Sequence, residues 1–288
     1  MHDYVIMTDS GCDLSAETLA RLQVPCMNYY YRFENDETDY TVMPLSMKDF
    51  YERMRQGGVA RTAALNTDVV FRTMKPYLEA GQDIYYVAFS SGLSTSYNSA
   101  RLAVEELKEL YPGRRIIALD SRSASVGQGL YVHLAAKKRD EGADLAELDA
   151  YLTGLLPYLS HWFTVDDLMY LKRGGRISAT SAIVGNTLSI KPILHVDMEG
   201  HLITSKKVTG RKLSMKTLLQ KYQDLATDPM GGEYIIGHAD CLDDAMKLRE
   251  AMVAATGHEP VDVCMLGPII GAHVGPGMLA ICFVGRER

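Results

Sequence analysis

One unit recurs through the first half of the chain and constrains the fold more than any other feature. It is a short apolar run, then a break of small hydroxylated or acidic residues, then apolar residues at helical spacing. Tyr4-Val5-Ile6-Met7 stops at Thr8-Asp9-Ser10-Gly11, after which Asp13 or Ser15 can cap a helix carrying Leu14, Thr18, Leu19 and Leu22. Ile84-Tyr85-Tyr86-Val87-Ala88-Phe89 gives way to Ser90-Ser91-Gly92-Leu93-Ser94-Thr95-Ser96, then to Tyr97, Ala100, Arg101, Val104 and Leu107 on a helical period. Ile116-Ile117-Ala118-Leu119 runs into Asp120-Ser121, and a helix is expected over 127–138. Buried strands alternating with amphipathic helices imply a parallel sheet covered on both faces. Such sheets bind ligands outside the carboxyl ends of their strands, where this chain collects its small polar residues.

The pattern changes after a helix expected over 145–159. Strands follow at 162–165, 191–196 and 201–208 without a helix between each pair, and Gly200 suggests a hairpin turn. Helices at 213–225 and 242–255, with strands at 234–237, 261–266 and 278–284, complete a mixed sheet. At 288 residues the chain exceeds the usual size of a single core. The expectation is therefore two domains, 1–157 and 158–288, with no repeat or flexible linker.

Composition narrows the function. Hydrophobic residues make up 47 % and charged residues 23 %, as in ordinary globular proteins. The first residues have neither a basic segment nor a long apolar one, and no stretch is long enough to cross a bilayer, so a cytoplasmic protein is expected. Five cysteines at irregular spacing, with no CxxC pair, argue against a disulfide framework or a zinc site. A formal charge of -6 argues against a general polyanion binder, so no nucleic-acid partner is expected.

Several segments carry chemistry. The Ser90 to Ser96 loop, entering a helix, offers amides and hydroxyls to a carboxylate or phosphate, but the same serines serve equally as helix caps. His273 sits among Gly267, Pro268, Gly271, Gly275, Pro276 and Gly277, a density of special backbone angles expected of a loop that holds a side chain in place. Lys172-Arg173-Gly174-Gly175-Arg176 lacks the spacing of a P-loop and reads either as an exposed basic turn or as cations at a helix end. The segment 61–66 reads as a small polar break. Three functions remain open on these residues: a carrier of an acidic ligand, a Ser94/His273 hydrolase, and a module that binds phosphorylated metabolites. The hydrolase is disfavoured because no GxSxG elbow surrounds Ser94 and no third residue is singled out to orient the histidine.

Taken in order, the segments Thr8-Asp9-Ser10, Ser90-Ser91-Gly92-Leu93-Ser94, Tyr97-Asn98-Ser99-Ala100, Asp120-Ser121, Tyr170-Leu171-Lys172-Arg173-Gly174-Gly175-Arg176-Ile177, Lys191-Pro192-Ile193-Leu194 and the glycine-rich stretch around His273 closely resemble the DegV family of bacterial fatty-acid-binding proteins. The resemblance implies an α/β chain with an N-terminal α/β/α parallel-sheet domain, a C-terminal mixed-sheet α/β domain and a lipid site at their junction. It implies a bound long-chain fatty acid such as palmitate, stearate or oleate, with no other cofactor and no metal. It also implies a partner fatty acid kinase that phosphorylates the acid, the carrier being non-catalytic, and transient contact with a membrane surface.

Carried over residue by residue, Thr62, Ser94 and His273 become the carboxylate donors. Ser91 and Thr95 add to the head-group loop, and Arg173 and Arg176 are candidates for meeting the kinase. The chain departs from the family where Leu93-Ser94-Thr95-Ser96 replaces Leu-Ser-Gly-Thr and where Thr62-Ala63-Ala64-Leu65 replaces Thr-Ser-Gln-Pro. Apolar lining is expected from Ala182, Ile183, Val184, Leu188 and Ile190, and from Ile269 and Ile270.

Overall fold

A computed structural model describes residues 4–37, 39, 46–178 and 189–288. Its first half runs β1 (Tyr4–Asp9), α1 (Ala16–Arg21), β2 (Cys26–Met27), β3 (Tyr30–Phe33), α2 (Met47–Arg55), β4 (Ala60–Ala63), α3 (Thr67–Glu79), β5 (Asp83–Ala88), α4 (Ser96–Leu110), β6 (Ile116–Asp120), α5 (Ser125–Asp140) and α6 (Leu145–Leu155). The second half runs β7 (Leu159–Thr164), α7 (Met169–Arg173), β8 (Ile190–Val196), β9 (Leu202–Thr209), α8 (Arg211–Leu225), β10 (Tyr234–His238), α9 (Leu242–Thr256), β11 (Val263–Met265), α10 (Pro268–Val274) and β12 (Leu279–Val284). No helix among the described residues is long and apolar enough to cross a membrane.

The repeated unit of the first half folds as its pattern requires. Strands β2-β1-β5-β6 form a parallel sheet, with Ile6 opposite Tyr85 and Tyr85 opposite Ile117. The chain leaves β1 for β2 on one side and β5 lies on the other, so the loops after β1 and β5 flank a point where the strand order reverses. That is where open parallel sheets form their ligand crevice. The second half builds a six-stranded sheet in the order β11-β10-β12-β7-β8-β9, in which only β10 and β11 run parallel.

Helix α5 joins the two sheets. It packs on β1 and β5 from one side and on β7, β10 and β12 from the other. Its first turns are therefore covered on both sides, with Val126, Leu130, Tyr131, Val132, Ala135 and Ala136 among the buried residues, while the edge at His133, Lys137 and Asp140 reaches outward. A helix that is apolar toward two sheets belongs in a core. One continuous apolar cluster accordingly takes in Ile6 and Val87 from the first sheet, α5, and Phe163 and Ala280 from the second. A smaller cluster around Trp162, Tyr222 and Phe283 lies on the far face of the mixed sheet, beneath α8 and α9.

Two segments differ in kind from their sequence expectation, and two others in length. The polar break at 61–66 is in part strand β4, paired antiparallel with β3 so that Tyr31 faces Thr62. Its residues Arg61, Thr62 and Ala63 carry no apolar alternation, and the strand is held by its pairing with Tyr31 and Phe33, whose rings pack on Phe50. The stretch around His273 is a helix rather than a loop. Pro268 stands at its first position and Gly275, at φ 71°, ends it, an asymmetry that marks helix boundaries. The helix expected over 145–159 ends at Leu155, and the strand expected over 261–266 is shortened to Val263–Met265.

Asp13 ties three of these pieces together. It adopts a left-handed conformation (φ 53°), accepts from Ser125 Oγ at 2.6 Å and accepts from the Gly267 amide at 2.8 Å, linking the turn after β1 to the starts of α5 and α10. Burial pushes its carboxyl up to about 7, against two hydrogen bonds that act the other way. The folded chain thus holds a proton that the unfolded chain releases near pH 4. Stability contributed by this group falls as pH rises from about 4 through about 7. Asn tolerates the same backbone and keeps both bonds. Urea unfolding of Asp13→Asn across this window should show a loss of stability smaller than wild type by a few kcal/mol. Parallel pH profiles for the two proteins would mean that Asp13 is already ionised in the fold.

Candidate functional site

The crevice opens into a cavity of about 350 Å³, within the range of roughly 300–1,000 Å³ usual for small-molecule sites. Phe89 and the loop from Ser91 to Thr95 supply one wall, and Ala124 and Ser125 at the start of α5 another. The mixed sheet contributes His161, Phe163, Val196 and Leu202, and α10 contributes Ile269, Ile270, His273 and Val274. Ile269 and Ile270 line it as expected, whereas Ile190 is not among its lining residues. Ala182, Ile183, Val184 and Leu188 lie outside the described residues.

Polar groups gather on one side of this apolar space. Thr62 Oγ1 lies 2.9 Å from His273 Nε2, although the two residues are 211 positions apart. Strand β4 points Thr62 inward, and the last turn of α10 presents His273. Gly174 backs the imidazole so closely that a Cβ there would fall on Nδ1, which is buried and has no partner. Burial, reinforced by the Arg176 guanidinium, holds the His273 imidazole down to about 4, so the ring is neutral near pH 7. A neutral imidazole has one N–H and one bare nitrogen. If Nε2–H donates to Thr62, the threonine hydroxyl hydrogen is left over; if Thr62 donates, the hydrogen on Nδ1 is left over. Either arrangement keeps one unused donor.

Ser94 adjoins them in the cavity wall. Its Oγ accepts from the Ser96 amide at 3.2 Å and lies 2.9 Å from Ser96 Oγ, which in turn accepts from the Leu65 amide at 3.0 Å. Capping and cavity lining, alternatives on the sequence, thus coexist in Ser94. Thr95 takes the N-cap position of α4 without a side-chain bond and is exposed at the cavity rim. Ser91 also reaches the rim, but its hydroxyl is committed to Asp120 at 2.5 Å. Asp9 is similarly committed: it is fully buried and accepts from Tyr86 Oη, the Phe89 amide and the Gly11 amide, fixing the floor of the crevice.

The two candidate arginines are placed differently. Arg173 is exposed and outside the cavity lining, its guanidinium 5.5 Å from the Tyr170 ring. Arg176 is half-buried in the cavity wall, donating from Nε to the Leu93 carbonyl at 3.2 Å and from a terminal nitrogen to the Gly174 carbonyl. The Lys-Arg-Gly-Gly-Arg turn is thus an exposed basic turn at one arginine and a piece of wall at the other. Sequence reasoning missed Tyr29 and His161. Tyr29 lines the cavity with a buried, unpartnered hydroxyl that burial keeps protonated. His161 lies on the inward face of β7, where its alternation with Leu159 and Phe163 was the available signal.

A model of the family described as uncharacterised protein, DegV family, matches residues 3–286. A DegV domain-containing protein of Clostridium perfringens is 37 % identical over 289 residues, covering 100 % of this chain and 99 % of the relative. The fold superposes on a fatty-acid-binding DegV family protein from Thermus thermophilus with a TM-score of 0.87 at 27 % identity, covering 99 % and 100 % of the two chains. It also superposes on DegV, a fatty acid binding protein from Bacillus subtilis, with a TM-score of 0.84 at 25 % identity and the same coverage. Matched along its whole length in both sequence and fold, the chain belongs to the DegV family.

Proposed function

We propose that this chain carries one long-chain fatty acid, such as palmitate, stearate or oleate, in the cavity between 1–157 and 158–288, which we take as its two domains, and presents the carboxylate to a fatty acid kinase for acyl-phosphate formation. The observation that carries the reading is an apolar cavity bordered by an uncharged Thr62–His273 pair. Relatives in Thermus thermophilus and Bacillus subtilis bind fatty acids on the same fold. About fifteen methylenes at about 0.8 kcal/mol each give a gross gain of around 12 kcal/mol before ordering costs. The tail therefore supplies the affinity, and the head group must only avoid cancelling it. An unpaired buried carboxylate would do so; one that accepts hydrogen bonds from Thr62, Ser94 and His273 does not.

Arg176, set in the wall, serves the cavity, which leaves exposed Arg173 as the better kinase contact of the two. The carrier works in the cytoplasm, touching a membrane surface only to collect or release lipid. Hydrolysis is the weaker reading, because His273 Nε2 pairs with Thr62 rather than Ser94 and Nδ1 has no carboxylate to orient it.

Organic extraction followed by mass spectrometry should recover about one fatty acid per chain from protein purified without added lipid; an empty protein that also ignores added palmitate and oleate would end the proposal. Thr62→Val and His273→Ala should each weaken palmitate binding by roughly tenfold or more, the cost of a lost bond to a charged group, whereas Arg21→Ala, outside this cavity, should not. Equal affinities across the three would remove the head-group assignment. With kinase and ATP, Arg173→Glu should lower the rate of acyl-phosphate formation at saturating lipid, and an unchanged rate would dissociate this arginine from the kinase.

A further inference from the structure

The cavity has a second polar station that binding a plain acyl chain does not use. His161 projects from β7 on the face shared with Leu159 and Phe163, is 3 % exposed and lines the cavity, yet neither ring nitrogen has a hydrogen-bond partner. Its ring lies 5.9 Å from that of Phe163. Burial and the Arg288 guanidinium keep the imidazole neutral, with its titration pushed down to about 3. It therefore presents one donor and one acceptor, both unused. The buried hydroxyl of Ser123 is also without a partner. A Cβ on Gly127 would stand 2.6 Å from His161 Nδ1 and would also fall on Ser123 Oγ, so these two polar groups share one small space, kept open by a glycine.

Buried polar groups in folded proteins are almost always paired, and a phenylalanine or leucine would fill this part of an apolar wall without the cost of orphaned nitrogens. The station is also set apart from the head-group side. His161 stands on β7 with Ser123 just before α5, whereas Thr62 and His273 stand on β4 and α10 and pair with each other. A ligand held at Thr62 and His273 would thus meet His161 along its hydrocarbon chain, away from its acid group.

We propose that His161, with Ser123 beside it, is a specificity-determining site for a long-chain fatty acid bearing a hydroxyl group along its chain. The hydroxyl donates to the bare imidazole nitrogen or accepts from the N–H, and Ser123 Oγ is placed to complete the pairing. The inference rests on the fatty-acid reading above and adds the class of acyl chain.

Displacement of a fluorescent fatty acid from the whole, lipid-stripped chain tests it with stearate and a set of monohydroxystearates that differ only in the position of the hydroxyl. One isomer substituted away from the carboxyl end should bind about tenfold more tightly than stearate, the worth of one well-made buried bond. In His161→Phe the ratio of the two affinities should fall to near one. Stearate that binds while no isomer exceeds it, as when a water alone occupies the station, would overturn this inference and leave the fatty-acid reading standing. Failure of every acid to bind would overturn both. Should His161→Phe not fold, imidazole nitrogen-15 shifts of His161 in the wild-type chain decide the same question: they should move with the preferred isomer and not with stearate, and equal shifts with both would defeat the assignment.

Discussion

Burial of α5 between two sheets is the constraint from which the rest of the molecule follows. A helix can touch two sheets at once only if the faces it turns to them are apolar and, where the backbones approach most closely, carry no side chain. Gly129 meets the second requirement: a Cβ there would stand 2.7 Å from the Cys12 carbonyl oxygen. On the other side Gly237 of β10 does the same, since a Cβ would come within 2.9 Å of Val126. Packing at this density leaves little room for voids along the helix. The space that the two sheets do leave lies at the start of α5, where Ala124 and Ser125 line the cavity. The site is in this sense a product of the packing, formed where the shared helix begins and its coverage ends.

The same geometry explains why the Thr62, Ser94 and His273 groups are polar without being charged. Strand ends in the first sheet are rich in Ser, Thr and Asp, but most of these groups hold loops to one another. Thr8 Oγ1 donates to the Val87 carbonyl, Ser121 Oγ to the Ala88 carbonyl, and Asp120 accepts from Ser91. Burial then keeps the His273 imidazole neutral by lowering it, and raises the Asp13 carboxyl outside the cavity. Neutral donors hold an anion less firmly than a bidentate arginine would. A carrier that takes its affinity from the tail can afford the weaker grip, and a carboxylate held this way keeps more of its nucleophilic character.

Periodicity made the parallel sheet, the mixed sheet and most helices legible, because their burial is regular and regular burial leaves a regular pattern. It failed where burial is local. Strand β4 shows no alternation because its partner β3 supplies the aromatic contacts, and α10 is hidden by the four glycines and two prolines in and around it. Thr62, Ser94 and His273 came from likeness to a family rather than from periodicity, since nothing in Arg61-Thr62-Ala63 marks the threonine as inward. Arg173 and Arg176 look alike in sequence and differ in place because Gly174 and Gly175 turn the chain between them, Gly175 at φ 72°. His161 escaped notice because one polar residue breaks an inward apolar row, and breaks of that kind identify a buried functional group only when the remaining wall is known.

The two departures from the family pattern bear on the donors that remain for a ligand. Ala63 lines the cavity and cannot donate, but the Thr62 hydroxyl beside it is in place and paired with His273. Thr95 makes no side-chain cap, and Ser94 Oγ takes over by accepting from the Ser96 amide. Ser96 Oγ accepts from the Leu65 amide, and the Ser94 and Ser96 hydroxyls share one bond, so whichever donates, the pair keeps one uncommitted hydroxyl hydrogen. With Nε2–H donating to Thr62, the threonine hydroxyl leaves one more hydrogen. Two spare hydrogens then stand against the two oxygens of the proposed carboxylate, and this balance does not need the hydroxyl that position 63 has lost.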